Sequence, residues 1–429
     1  MKINKKRVLF FPILTIIVLL IVGISLVIFL RKNPYPKQIL TVGIYTGSSW
    51  DVPDGQQYHM INYAIHEFKK KHPNVKIKYE SGIRKSDYIN WLSEKIVNGQ
   101  TPDVVMIPPE YFNLFASEKT FRDLSSYVKK YNLASRFYAG SLAAGNYQGK
   151  QYTLPYETNP TLLIANQELL YRHRIKHLNS VEKIYNFKTI CHRISQDKGF
   201  YGITSSYSWI DAQLAYHTNL FSGPNHNLQL TNASARNGFS LIEDLNNDNQ
   251  MQNINNTNFD RGEVAFMPLN FAQYRTYTSY PYHVTQNTRF RWKALKMPGQ
   301  QSTPSETVSF GISSQSHKNQ LAWDFIKLLC SNPKTQQELM KIHKGCSVMP
   351  RVIKSKETEN ILKQDNSTRN SINNMVLDKI LRDEAITPKF RNYKQVMERL
   401  DYQIQQSLSN GNLDSDLFNI QQSINRQIE

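Results

Sequence analysis

Gln148-Gly149-Lys150-Gln151-Tyr152-Thr153-Leu154-Pro155-Tyr156-Glu157-Thr158 is the stretch on which the reading of the fold turns. Gly149 marks a turn, Tyr152–Leu154 reads as a short strand, and Pro155 ends it, because proline has no N–H to give a central ladder. The chain is expected to leave its sheet here. An α/β pattern precedes this point and a longer one follows it. The stretch therefore reads as a crossing between two lobes, with Glu157, Tyr152 and Tyr156 beside the break.

Working outward, 429 residues with 40% hydrophobic and 20% charged content suffice for two domains with real cores. The N-terminus differs in kind. Val8–Leu30 holds no charged residue and is long enough to span a bilayer as a helix. Lys2, Lys5, Lys6 and Arg7 precede it, which places the N-terminus in the cytoplasm. Ile28-Phe29-Leu30-Arg31 offers no small-residue cleavage site, and the first cysteine is Cys191, far beyond any lipid-attachment position. The expectation is an uncleaved signal-anchor over residues 1–32, with 33–429 outside the cytoplasm and the protein single-pass in the cell membrane.

The formal charge is +18, and residues 1–32 supply six Lys/Arg without an acid. The remaining cations are scattered, with no basic run or aromatic motif of the RNA-binding kind, so nucleic acid is not an expected partner. Three cysteines make no complete disulfide set. Cys330 and Cys346 would suit a short loop and leave Cys191 over, and buried thiols are the preferred reading. His173 and His177 stand at i,i+4, but Arg172, Arg174 and Lys176 would repel a cation, so no metal is expected. Neither a Gly-rich phosphate loop nor Gly-x-Ser-x-Gly occurs, and no cofactor is expected.

Taken in order, Ile39–Tyr45 is a strand, followed by a loop over Thr46–Pro53. Met60, Ile61, Ala64, Ile65 and Phe68 recur at helical spacing up to His72-Pro73. Val75, Ile77 and Tyr79 alternate as a strand. Ser86 reads as the N-cap of a helix carrying Ile89, Leu92 and Ile96, and Val104–Ile107 is a short buried strand. This βαβαβ unit implies a parallel sheet whose ligand edge lies after the strands, at Thr46–Asp51 and Pro108–Tyr111. Further on, Leu162–Ala165, Tyr201–Thr204 and Val308–Ile312 read as strands. Asn219–Asn258 reads as outer loops with helical stretches between, Trp292–Met297 as a second crossing, and residues 396–428 as a helix hairpin broken at Gly411.

Several short motifs fall in a telling order: Thr101-Pro102-Asp103-Val104-Val105, Phe121-Arg122-Asp123-Leu124-Ser125, Gly149–Pro155, Ile164-Ala165-Asn166 and Tyr201-Gly202-Ile203. Phe259–Met267, Phe310-Gly311-Ile312-Ser313 and Ala322-Trp323-Asp324-Phe325-Ile326 continue it. By these the chain from about Ile39 to Glu429 resembles the family 1 extracellular solute-binding proteins of ABC importers, the maltose-binding type. The resemblance implies an α/β, two-lobed, periplasmic-binding-protein-like fold (type II), each lobe a mixed sheet flanked by helices. Lobe one would comprise about 38–152 and 299–350, and lobe two about 158–293 and 356–429. It further implies a carbohydrate ligand held between the lobes, hinge closure, and ABC permease subunits as partner. The anchor in place of a cleaved signal makes a membrane sensor the alternative partner.

A sugar needs flat aromatic surface for its C–H faces, and carboxylates or amides for its hydroxyls. Matching the family's cleft positions gives Ser49, Trp50, Asp51, Glu110, Tyr111, Glu157, Trp209, Asn270, Phe271 and Tyr393. Trp50 and Glu157 lead this set, and Trp50 is expected on a cleft loop that adds little to either core. Glu110 and Glu157 offer a carboxylate pair for a glycosidase, the minority reading, since acids are expected in a sugar cleft without catalysis.

Overall fold

In a computed structural model, which describes residues 19–25, 38–53, 58–249, 251–277, 290–299, 303–365 and 372–428, nine strands form one continuous sheet. They are β1 (Gln38–Gly43), β2 (Val75–Tyr79), β3 (Val104–Ile107), β4 (Thr153–Asn166), β5 (Tyr201–Ile203), β6 (Val264–Asn270), β7 (Trp292–Leu295), β8 (Ser305–Ile312) and β9 (Cys346–Ser347). The order is β2-β1-β3-β8-β4-β6-β5, with β7 and β9 also paired to β4. β1 runs parallel to β2 and β3, and β8 lies antiparallel between β3 and β4. On the other side, β6 and β7 pair antiparallel with β4 while β5 joins β6 in parallel. Both halves are thus mixed sheets with helices packed on them, and the two-lobed α/β architecture implied by the resemblance is present.

β4 corrects the reading of Pro155. The chain does not leave the sheet there: the strand runs fourteen residues, through Pro155 and Pro160. Its partner explains how. Val308 pairs with Glu157 but Ser309 pairs with Pro155, so Tyr156 is an extra residue and the ladder carries a bulge beside the proline. A bulge interrupts the regular ladder, so the missing N–H is accommodated without ending the strand. Residues 153–158 belong to the β8 and β9 side, and residues 161–166 to the β6 and β7 side. The crossing is a shared strand.

The helices follow the apolar spacing. In His59–Lys71, Met60, Ile61, Ala64 and Phe68 are buried on one face, and Lys69–Lys71 close the last turn, where cations favour the helix dipole. The helix expected to be capped by Ser86 begins instead at Lys85, and Arg84 at its cap supplies no side-chain bond. Ser86 Oγ donates to the neighbouring Asp87 carboxylate (3.0 Å) rather than accepting a backbone N–H. The helical stretches expected within the Asn-rich segment include a seventeen-residue helix, Ala233–Asn249. In the C-terminal hairpin, Tyr393–Asn410 and Leu413–Asn425, the expected stripe is buried at Val396, Leu400, Ile404, Leu413, Leu417, Ile420 and Ile424. Gly411 between them adopts φ 68, the left-handed cap that only glycine takes without strain.

Two hydrophobic cores result. The smaller lies in lobe two around Phe187, Trp209, Phe239 and the C-terminal hairpin. The larger fills lobe one and continues past the shared strand to Phe259, Phe271 and Trp292, and also takes in Leu377, Ile380 and Leu381. Cys191, Cys330 and Cys346 are all buried free thiols. The anchor expected over Val8–Leu30 falls largely outside the described residues, of which 19–25 are helical. Among the described residues no helix is long and apolar enough to cross a membrane.

Candidate functional site

The loop leaving β1 builds the first wall. Thr46 N–H donates to Ile83 O (2.8 Å), and Lys85 Nζ reaches back to Ser49 O (2.8 Å) and to the Asp51 carboxylate (3.0 Å). Asp51 itself is exposed and left-handed (φ 54), which turns the chain so that Trp50 points inward. The indole is 5% exposed, and its Nε1–H has no hydrogen-bond partner. Trp50 is therefore not the freestanding loop aromatic expected from the sequence. Its ring is part of the larger core, and only its N–H is left over. Tyr45 O–H donates to Ser49 Oγ at 2.8 Å. Burial holds this phenol well above its ordinary pKa, with the charges of Glu157, Glu110 and Asp51 adding to the effect.

β4 supplies the second wall. Glu157 is 1% exposed, and a carboxylate this deep needs donors. Gly345 N–H donates to Oε1 (2.9 Å), and His343 Nδ1 stands 3.0 Å from Oε2. Both belong to the loop between the Pro333–Ile342 helix and β9. The same loop brings Trp50 and Glu157 together. A Cβ on Gly345 would lie 2.5 Å from Trp50 Nε1 and closer still to Glu157 Oε1, so only glycine leaves room for both. An opening of about 470 Å³, lined by Ser48, Ser49, His59, Glu157, Lys341 and His343 among others, gives onto this corner.

A second opening of about 180 Å³ lies beside the crossings. Glu110, Asn113, Glu306 and Thr307 line it from lobe one, and Lys389 and Tyr393 from the chain that returns into lobe two. Asn113 Nδ2 donates to Pro388 O (2.8 Å), and Lys394 Nζ stands 5.3 Å over the Tyr111 ring, so the walls touch. Burial raises the Glu306 carboxyl, and the Glu110 charge adds to it while Lys85 opposes. Burial pulls Lys389 down to about 8; its Nζ donates to Ala144 O (2.9 Å) and sits 4.7 Å over Phe112. The Tyr393 phenol is pushed up to about 12 for the same reason. Glu384 also lines this cavity and accepts from Ser141, Thr158 and Ser305 (2.7, 2.7 and 2.9 Å), tying the three crossing segments together.

Of the ten residues expected from the sequence, the structure groups Ser49, Trp50, Asp51 and Glu157 at one corner and Glu110, Tyr111 and Tyr393 at the other. Three stand elsewhere. Trp209 is 1% exposed inside the lobe-two core, where its Nε1 donates to Asp401 (2.7 Å) and its ring stacks on Phe239. Phe271 is fully buried against Tyr274 and Arg275. Asn270 caps the helix that follows β6, its Oδ1 accepting from Gln273 N (2.8 Å). Glu110 and Glu157 line different cavities. His173 lies 3.7 Å from Asp197, and among the described residues no three His, Cys, Asp or Glu are gathered to hold a metal.

The model of one family, described as bacterial extracellular solute-binding protein, matches residues 63–364. The chain belongs to the bacterial extracellular solute-binding proteins. The family is one of binding proteins, so this solute-binding protein is not an enzyme, and the glycosidase reading of its acids falls. No curated protein matches the chain in sequence. Many solved structures match its fold. The sugar-binding protein MalE from Xanthomonas citri superimposes with a TM-score of 0.74 at 15% identity, covering 91% of this chain and 97% of that one. A cyclic alpha-maltosyl-1,6-maltose binding protein from Arthrobacter globiformis gives 0.74 at 14%, covering 90% and 98%. An ABC substrate-binding protein from Listeria monocytogenes, solved with cycloalternan, gives 0.66 at 16%, covering 91% and 99%. At such identities the likeness is one of fold alone.

Sequence reasoning missed Tyr45, Lys85, His343, Gly345, Glu306 and Lys389 in this solute-binding protein. Gly345 after His343-Lys344 carried a signal, since a glycine in the short turn between a helix and a strand marks a close approach. The lysines carried none, being indistinguishable from the scattered surface charge.

Proposed function

We propose that this protein captures a carbohydrate, an oligosaccharide, between its lobes by hinge closure and delivers it to an ABC importer from an N-terminal membrane anchor. The observation that supports it best is the corner where the buried Glu157 carboxylate and the unpartnered Trp50 N–H meet at Gly345. An unsatisfied buried donor costs about 1–3 kcal/mol, so a ligand acceptor that reached it would recover that amount. The cycloalternan and cyclic maltosyl-maltose bound by proteins of similar fold point to the same ligand class. Ser49, Trp50, Asp51 and Glu157 would form one subsite, and Glu110, Tyr111 and Tyr393, with Glu306 and Lys389, a second. The lobes would divide at Thr158–Thr161, at 299–305 and at 383–387.

Only a ligand that makes more contacts in the closed form can shift the population toward closure. Residues 33–429 should therefore melt at higher temperature with a maltodextrin, gaining about 2.7 kcal/mol at a hundred times the dissociation constant, and should compact in small-angle scattering. Failure of every mono- and oligosaccharide to stabilise the chain would remove the carbohydrate reading. Stabilisation without compaction would remove the hinge. The uninterrupted Val8–Leu30 run favours a second reading, in which the loaded protein is presented to a membrane sensor.

A further inference from the structure

Arg275 is among the largest fully buried side chains, 1% exposed. It lies on the Phe271–Tyr277 helix, which follows β6 of lobe two. Its guanidinium does not stay in that lobe. Nη1 donates to His343 O (2.6 Å) and approaches Gly345 O (3.5 Å), and Nη2 donates to Met340 O (2.9 Å). All three carbonyls belong to the end of the Pro333–Ile342 helix and the loop after it, which approach lobe one. Helix-terminal carbonyls lack intrahelical partners and carry the negative end of the dipole, so a planar, forked cation suits them.

This loop also provides both donors of Glu157, His343 Nδ1 and Gly345 N–H. Downstream it is pinned independently. β9 pairs with β4, and Gln336 Oε1 accepts from Ser347 Oγ and Val348 N (2.6 and 3.3 Å). Upstream, across residues 340–345, Arg275 adds its three carbonyl contacts to those of Ser347 N–H on Met340 Sδ (3.1 Å), Lys341 with Glu357 (2.7 Å) and the Tyr156 ring edge-on to His343. The arginine in turn is seated on lobe two and the crossing: Phe271 lies 5.8 Å beneath the guanidinium, and Ala272 N donates to Asn159 Oδ1 of β4 (2.9 Å).

We propose that Arg275 is a positioning residue for the binding corner, setting the Met340–Gly345 loop so that His343 and Gly345 hold Glu157 beside the Trp50 N–H. The inference deepens the carbohydrate reading and rests on it for the site's role. Because the helix bearing Arg275 continues a lobe-two strand, movement of lobe two pulls directly on the loop that shapes the lobe-one corner. Site geometry and lobe position then become one variable.

The test uses the full chain in detergent with maltotetraose as the probe, comparing R275K, E157Q, the double variant and H343Q. Lysine keeps the charge and stem but not the fork. R275K should weaken binding about tenfold, the scale of one lost hydrogen-bonded support. The double variant should bind no worse than E157Q alone, because residues acting in series are non-additive. Hydrogen exchange across 338–347, read without sugar, should accelerate in R275K. It should stay slow in H343Q, whose partly exposed side chain leaves the carbonyl bonds to Arg275 intact. Additive effects on affinity overturn the proposal. So does unchanged exchange in R275K, or exchange in H343Q as fast as in R275K. Should the parent bind no maltotetraose, the choice of a maltodextrin fails on its own, and the exchange comparison still decides the role of Arg275.

Discussion

Gly345→Ala tests the binding corner through a single methyl group. The backbone at Gly345 is not left-handed, so alanine meets no conformational penalty and the whole effect is steric. Its Cβ would fall 2.5 Å from Trp50 Nε1, 2.8 Å from Glu157 Cδ, and nearer still to Oε1. Real Cβ atoms do not come so close, and both neighbours are almost fully buried. Forcing a methyl into a packed site costs about 1–3 kcal/mol. If the loop moves instead, Glu157 loses the Gly345 N–H and the His343 contact, each a charge-assisted bond of about 1.5–3 kcal/mol. The first route gives a stability loss of about 1–3 kcal/mol and the second about 3–6 kcal/mol, and both weaken ligand binding at least tenfold. Urea unfolding measures the first and titration calorimetry the second. Gly411→Ala is the control: it sits at φ 68 with nothing near its Cβ, so backbone strain of about 1 kcal/mol should appear without a change in affinity. If Gly345→Ala unfolds and binds like the parent, Trp50 and Glu157 are not packed around that glycine and the corner is misassigned.

Other outcomes can be checked separately. Trp50→Phe keeps most of the buried ring but deletes the free N–H, so it should lose about 1 kcal/mol or more of ligand affinity with little change in melting temperature; equal affinity means the N–H is not used. Asp211 caps the Trp209–Ala215 helix through Ser208, and burial raises its carboxyl from 3.8 to about 6. The native state then binds its proton more tightly than the unfolded state does, so this group's contribution is complete below pH 4 and is lost as pH rises to about 6. The loss is at most about 3 kcal/mol, and less because water still reaches the side chain. Asp211→Asn should flatten urea midpoints between pH 4 and 6.5, and parallel pH profiles in the two proteins would contradict the assignment. The full chain should fractionate with membranes and expose its bulk to protease added outside; a mature chain starting near residue 33 would refute the anchor.

The alternation of strands and helices was legible because it depends on local periodicity. Met60, Ile61, Ala64 and Phe68 announce their buried face within nine residues, and the C-terminal hairpin does so over thirty. Pro155 was misread because its tolerance depends on a bulge opposite Val308 and Ser309, over 150 residues away. Trp209 and Phe271 looked like cleft aromatics since a ring after a strand end has the same local signature buried or exposed. What buries Trp209 is Asp401 and the C-terminal hairpin, nearly 200 residues on. Glu157 was singled out because it stands next to the crossing. Its partners were not, because His343 and Gly345 meet it only through the pairing of β9 with β4.

The position of β8 between β3 and β4 bears on how the protein is made. Emerging from a ribosome or a translocon, β3 and β4 are complete by residue 166, yet the strand that belongs between them ends at residue 312. At synthesis rates of about 5–20 residues per second, the interval is roughly 7–30 s. During that time two strand edges, Val104–Ile107 and Thr153–Thr158, have nothing to pair with, and an unpaired edge recruits whatever strand it meets first. The nascent chain gains by staying unfolded until its middle third has been delivered. Refolding from denaturant should accordingly be slow and yield-limited at high protein concentration, with aggregation seeded by these two segments.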